Sequence, residues 1–213
     1  MGLEDDLNEA SVALRAAGRA LFEGGLAPGS SGNMSLLCAG SIVVTPGGSM
    51  LGALRELSVI GPDGKLLRGP VPTKEVPMHL AVYGPGSPWA AAVHLHSPYA
   101  TLMSALREID ESDAILPLTP YLTMKAGKVR VLPYEKPGSS ALGRHVAEFI
   151  AAGGKACLMR NHGCLVVDTS LESALALAFE LEEAAKMAIL GRGMALSPLT
   201  PEQRNELFLG LPA

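Results

Sequence analysis

Apolar residues recur at a helical period near the start of the chain. Leu7, Leu14 and Leu21 fall on one stripe with Ala10, Ala13 and Ala17 beside it, and Gly24-Gly25 closes the segment, which predicts an amphipathic helix over 5–24. The pattern then shortens. After a small-residue stretch, PGSSGNMS, strands are predicted over 33–37, 41–46 and 57–60, the last followed by a Pro62-Asp63-Gly64 turn. Helical spacing returns over 74–83, where Val76, Leu80 and Tyr83 share a face. AAVHLH reads as a strand, and Ser97-Pro98 starts a helix running to about Arg107, with a cap followed by proline at the first helical position. A short strand over 128–132 and a helix over 139–151 follow. KACLMRNHGCLVV gives two apolar strands around a polar break, and a long helix fills 170–190. No repeat or linker divides the chain, so residues 1–213 are read as a single α/β domain with a mainly antiparallel sheet.

Composition narrows the function classes. Hydrophobic residues make up 48% and charged residues 18% of 213, which suits a globular protein with one sizeable core. No apolar run reaches the ~20 residues needed to cross a bilayer, and MGLEDDLNEA carries neither a signal-peptide core nor a myristoylation signal. A net charge of −4 without a Lys/Arg stripe argues against nucleic-acid binding. Three cysteines, none in a CxxC, argue against a disulfide scaffold and fit a reducing cytoplasm.

The chemistry-bearing residues break the apolar pattern. Side chains two apart on a strand face the same way, so His94 and His96 project together. Such a pair reads equally as two satisfied histidines or as two ligands. His162, in the RNHG break, supplies a third imidazole, and three imidazoles leave a position open on a zinc-type ion. Glu75, in PTKE, is the candidate acid, with His79 one turn later; HExxH is absent, so ExxxH is not itself a metal cage. His145 is expected on an exposed helical face. Two glycine-rich segments, Ser30-Ser31-Gly32-Asn33 and Thr45-Pro46-Gly47-Gly48-Ser49, have the small polar character of anion-binding backbone, though neither has P-loop spacing. Lys74 adds a positive charge beside Glu75.

Taken in order, SSGNMS, VTPGGS, PTKE with HLAVY, AVHLHSPYA and RNHG before a long helix resemble the class II aldolase/adducin family over nearly the whole chain. The stretches TPGGSMLG, PTKEVPMHLAVY and PLTPYLTMKAGKVRVLPYEKPG resemble its 3-oxo-tetronate 4-phosphate decarboxylase branch. Lys74 stands where sugar-phosphate aldolases of the family usually have Ser or Thr, and Gly47 replaces a common hydroxyl residue.

The resemblance implies a three-layer fold with helices flanking the sheet. It implies a divalent metal, usually zinc, on His94, His96 and His162, with Glu75 as acid/base and as a further ligand. It implies a phosphate site at Ser30, Ser31, Gly32, Asn33, Gly47, Gly48, Thr73 and Lys74, and a homotetramer without nucleic-acid or membrane partners. Tyr121 is a candidate proton relay. The implied reaction is decarboxylation of a 3-oxo-tetronate 4-phosphate to dihydroxyacetone phosphate through a metal-bound enediolate. An aldolase cleaving a fuculose or ribulose phosphate is the alternative, and a non-catalytic adducin-like module the third reading.

Overall fold

A computed structural model describes residues 2–207. Eight strands form one sheet: β1 (Asn33–Cys38), β2 (Ser41–Val44), β3 (Ser58–Ile60), β4 (Leu66–Arg68), β5 (Ala91–Leu95), β6 (Arg130–Leu132), β7 (Ala156–Met159) and β8 (Gly163–Asp168). Their spatial order is β4-β3-β2-β1-β5-β8-β7-β6. Every neighbouring pair is antiparallel except β6 with β7. Seven helices surround it: α1 (Leu3–Glu23), α2 (Val76–Val82), α3 (Pro98–Ser104), α4 (Pro120–Ala126), α5 (Ser140–Ala151), α6 (Leu171–Leu190) and α7 (Pro201–Glu206).

Period-2 alternation divides the sheet's side chains between two cores. Met34, Val43, Val93, Leu95, Leu158 and Val166 pack with the buried stripes of α1, α3, α4 and α6. Ala92, Cys157, Met159, Leu165 and Val167 face the other way, onto Met78 and Val82 of α2 and Leu142, Val146 and Phe149 of α5. The result is the expected three-layer arrangement. The α2 stripe read from the sequence closes a third cluster, in which Val76, Leu80 and Tyr83 cover Ile42, Val44 and Ile60.

The departures from expectation have local causes. Helix α3 stops at Ser104, short of Arg107, where the Arg160 guanidinium takes the carbonyls of Ser104 and Leu106 at 3.1 and 2.8 Å. Strand β2 ends at Val44 because the chain turns away at Thr45 and Pro46, and Pro46 bridges to Pro72. Strand β4 is exposed along its whole length, so it lacks the alternation that reveals a half-buried strand. Helices α4 and α7 are only one to two turns long, too short to display a period, although each opens on the Thr-Pro pair that marks a helix start. Helix α7 packs against the 113–117 segment, with Arg204 paired to Asp113 at 2.6 Å. Residues 208–213 lie outside the described residues.

Candidate active site

Strand β5 carries His94 on the α2/α5 side of the sheet, directly across from Leu165 of β8 and Asn33 of β1. His96 follows just beyond the strand end, on the same side. The RNHG turn joins β7 to β8 and returns His162 to this end. The turn needs Asn161 at a positive φ of 54°, a conformation asparagine tolerates well. It also needs Gly163, where a Cβ would stand 2.2 Å from the carbonyl oxygen of Leu95. Glycine is what lets β8 start so close to the end of β5.

Four side chains converge. His94 Nε2 and His96 Nε2 are 3.0 Å apart. Glu75 Oε2 lies 3.2 Å from His94 Nε2, and Glu75 Oε1 lies 3.3 Å from His162 Nε2. One ligand atom from each of Glu75, His94, His96 and His162 falls within 4.8 Å of every other. Glu75, His94 and His162 are buried, and His96 is half-buried.

The donor set fits a divalent metal. The Nδ1 of His94 lies 2.8 Å from the carbonyl oxygen of Cys164, which can only accept, so Nδ1 carries the proton and Nε2 presents a bare lone pair to the cluster. Glu75 Oε1 and both ring nitrogens of His162 are buried without a hydrogen-bond partner. Orphaned buried polar atoms are costly unless a ligand satisfies them. Donors at about 2.1 Å from a tetrahedral ion sit about 3.4 Å from one another, close to the spacings above.

Electrostatics agree. Burial alone would raise the Glu75 carboxyl, but the rings of His162 and His94 facing its two oxygens, together with the Asn33 amide, outweigh it and hold the group well below the usual carboxylate range. Burial, followed by the neighbouring His94 and His162, pushes His96 down to about 4, which favours the neutral imidazole that a metal requires.

A buried polar chain stands behind Glu75. A carboxylate only accepts, so the Asn33 side-chain nitrogen faces Glu75 Oε2, at 2.7 Å. Asn33 Oδ1 must then accept from His79 Nε2, at 2.6 Å. His79 Nδ1 is left bare and accepts from the Ser35 hydroxyl at 2.6 Å, which in turn accepts from the Tyr83 hydroxyl at 2.7 Å. Every proton points toward Glu75, and the chain requires a neutral His79. Burial, then the nearby His94, pushes that ring down to about 3. Sequence reasoning singled out Asn33 and His79 but missed Ser35 and Tyr83. Ser35 was within reach: it lies two residues from Asn33 on a strand and so shares its face.

The small-residue segments gather beside this cluster. Gly32 abuts β5, where an added Cβ would come within 2.9 Å of the His94 carbonyl oxygen. Thr73 N donates to Thr45 O at 3.1 Å and Gly47 N to Val71 O at 3.1 Å, tying the two loops together. Ser30, Gly47, Gly48 and Lys74 are exposed, Ser31 is half-buried, and the buried Thr73 hydroxyl accepts from Glu75 N at 3.3 Å. The Asn33 carboxamide is committed to Glu75 and His79. Tyr121 is 59% exposed on α4, in the layer opposite Glu75, and does not join the cluster. His145 pairs with Glu135 at 3.5 Å, away from the other histidines.

The sequence matches the family described as Class II Aldolase and Adducin N-terminal domain over residues 12–189. The chain belongs to that family. It is 42% identical over 193 residues to a 3-oxo-tetronate 4-phosphate decarboxylase of Pectobacterium atrosepticum, covering 89% of this chain and 88% of that protein. It is 41% identical over 189 residues to the Escherichia coli K12 protein of the same name, covering 87% and 89%. Among solved structures, YgbL from Klebsiella pneumoniae superposes with a TM-score of 0.90 at 37% identity, covering 94% of this chain and 98% of that one. An L-fuculose 1-phosphate aldolase gives 0.83 at 29% identity, covering 93% and 94%.

Proposed function

We propose that the protein is a metal-dependent carbon–carbon lyase that decarboxylates a 3-oxo-tetronate 4-phosphate to dihydroxyacetone phosphate and carbon dioxide. The carrying observation is the convergence of three imidazoles and one carboxylate with orphaned, buried donor atoms. Identity above 40% to decarboxylases of that name supports the substrate class. Zinc suits the nitrogen-rich set of His94, His96 and His162, with Glu75 near enough to join it. Such an ion is a Lewis acid toward a carbonyl oxygen and its neighbouring hydroxyl.

Protein groups supply the rest. The bond from C2 to the carboxylate breaks, carbon dioxide leaves, and an enediolate remains. Glu75 relays a proton from water to C2, which completes dihydroxyacetone phosphate. Asn33 holds Oε2 and leaves Oε1 for the transfer. Backbone of Ser30, Ser31, Gly32 and Gly48, with Thr73 and Lys74, binds the phosphate, and Gly47, whose N–H goes to Val71 O, shapes the loop instead. Lys74 suits the phosphate better than the departing carboxylate, because holding the carboxylate tightly in the ground state would oppose its loss. Tyr121 sits exposed on its own chain and would act as a relay only at a site completed by a neighbouring copy. This accords with a homotetramer, as do the apolar side chains exposed at Leu67, Val71, Tyr121 and Tyr134. We read residues 1–213 as one domain and the compartment as cytoplasmic. Among the described residues no helix is long and apolar enough to cross a membrane.

The alternative is an aldolase that cleaves a sugar phosphate to dihydroxyacetone phosphate and an aldehyde, and it shares the enediolate. A non-catalytic module has no use for a buried, unpartnered carboxylate oxygen facing an unpartnered imidazole nitrogen. Incubating the metal-loaded protein separately with 3-oxo-tetronate 4-phosphate and L-fuculose 1-phosphate decides among them. Carbon dioxide from the first is expected; aldehyde from the second with no carbon dioxide from the first overturns the proposal. Glu75→Gln should keep its metal and lose turnover by about 10²–10⁴-fold, and wild-type rates would remove Glu75 from the relay.

A further inference from the structure

The RNHG turn and the strand that carries His94 and leads into His96 are joined by one short helix, and each end of that helix is held by a charged side chain. At the start of α3, Pro98 has no N–H to satisfy. The next two amides, of Tyr99 and Ala100, do not bond to the Ser97 side chain, as they would in an ordinary cap. They donate to the carboxylate of Glu182, on α6, at 2.8 and 2.9 Å, and the Ser97 hydroxyl donates to the same carboxylate at 2.6 Å. Glu182 is only 7% exposed. At the other end, Arg160 Nη1 donates to the carbonyls of Ser104 and Leu106 at 3.1 and 2.8 Å, Arg160 also pairs with Glu111, and Asn161 N donates to Ser104 O at 3.4 Å.

Ser97 directly follows His96, and Arg160 precedes His162 by two residues. We propose that Glu182 and Arg160 are positioning residues: they clamp α3 as a strut that fixes His96 and His162 at metal-binding distance. Neither touches the cluster; each acts through the backbone of its neighbouring histidine. Charged groups suit the task because hydrogen bonds with one ionised partner are shorter and stronger than neutral ones. Glutamine in place of Glu182 would turn an –NH₂ toward a backbone donor at one end of the fork. Lysine in place of Arg160 keeps the charge but loses the planar set of donors.

This inference rests on the reading of the histidines as a metal site, and the test separates the two. Zinc affinity is measured by chelator competition for the whole protein, for Glu182→Gln, for Arg160→Lys and for two controls. His96→Ala removes a ligand. Ser170→Ala strips the side-chain cap of α6 at the far end of β8, where Ser170 Oγ accepts from Ser173 N. The expected result is zinc affinity at least tenfold weaker in Glu182→Gln and in Arg160→Lys, and unchanged in Ser170→Ala at a comparable loss of melting temperature. Wild-type affinity in both clamp variants overturns the proposal, as does equal weakening in Ser170→Ala. If Glu182→Gln fails to fold, Arg160→Lys alone decides. Failure of His96→Ala to weaken zinc binding would instead defeat the metal-site reading.

Discussion

Asn33 and His79 share one hydrogen bond, so their removal should not be additive. Asn33→Leu takes a partner from Glu75 Oε2 and another from His79 Nε2. Both stranded atoms are buried, His79 at 0% exposure. Leaving a buried polar group unmet costs about 1–3 kcal/mol each, so Asn33→Leu should lose about 2–6 kcal/mol of stability. His79→Leu strands Asn33 Oδ1 and loosens Ser35, which keeps its bond to Tyr83; about 1–4 kcal/mol is expected. The double variant strands neither end of the shared bond. It should be less damaged than the sum of the singles by more than about 0.5 and up to about 3 kcal/mol, the range found for residues in one network. Urea denaturation of the four proteins, with midpoints converted through a common slope, measures this. Additivity within about 0.5 kcal/mol would refute the relay as drawn and remove the reason for a neutral His79.

The same ring predicts a pH dependence. His79 sits near 3 when folded against about 6.5 unfolded, so between those values the unfolded chain binds the extra proton. Stability is therefore complete above about pH 6.5 and is lost toward pH 3, at up to about 1.4 kcal/mol per pH unit. Subtracting the His79→Leu curve from wild type between pH 5.5 and 4.5 should leave that slope, and a flat difference would contradict it. Lys74→Ala should raise KM for the phosphorylated substrate about tenfold, equivalent to about 1.4 kcal/mol, with little change in kcat. The gap should narrow as salt is added, and an effect on kcat alone would relocate the lysine's role. Gly163→Ala drives a Cβ into the Leu95 carbonyl; a loss of about 3 kcal/mol and weaker zinc binding are expected, and a melting temperature within a degree of wild type would show that the turn can yield.

Much of this could be read from the chain because the elements around the site are strongly periodic. The i, i+2 spacing of His94 and His96 on an apolar strand fixed their common direction, and the small residue after His162 marked a turn rather than a continuing strand. The polar chain behind Glu75 was harder to read. Asn33, Ser35, His79 and Tyr83 come from β1 and α2, whose register against each other is set by packing over Ile42, Val44 and Ile60 and by no local pattern. Glu182 was invisible for a related reason. In ELEEAAK it reads as one of several solvated acids on a long helix, and only the docking of α6 on α3 turns it inward.

That contrast has a physical basis. A ligand that sits on a strand of clear period inherits its direction from the sequence, since alternation acts over two residues. A supporting residue gains its meaning from a partner 42 to 85 positions away, which no window of sequence contains. Buried polar side chains are nevertheless constrained, because each must find a partner or cost free energy. Among the described residues the buried side-chain atoms left unpartnered include Glu75 Oε1 and His162 Nε2, which lie 3.3 Å apart at the one place where an ion would satisfy both. The fold therefore satisfies the relay and the Glu182 and Arg160 clamps and leaves the cluster incomplete, which is the pattern expected when the missing partner is a ligand rather than another side chain.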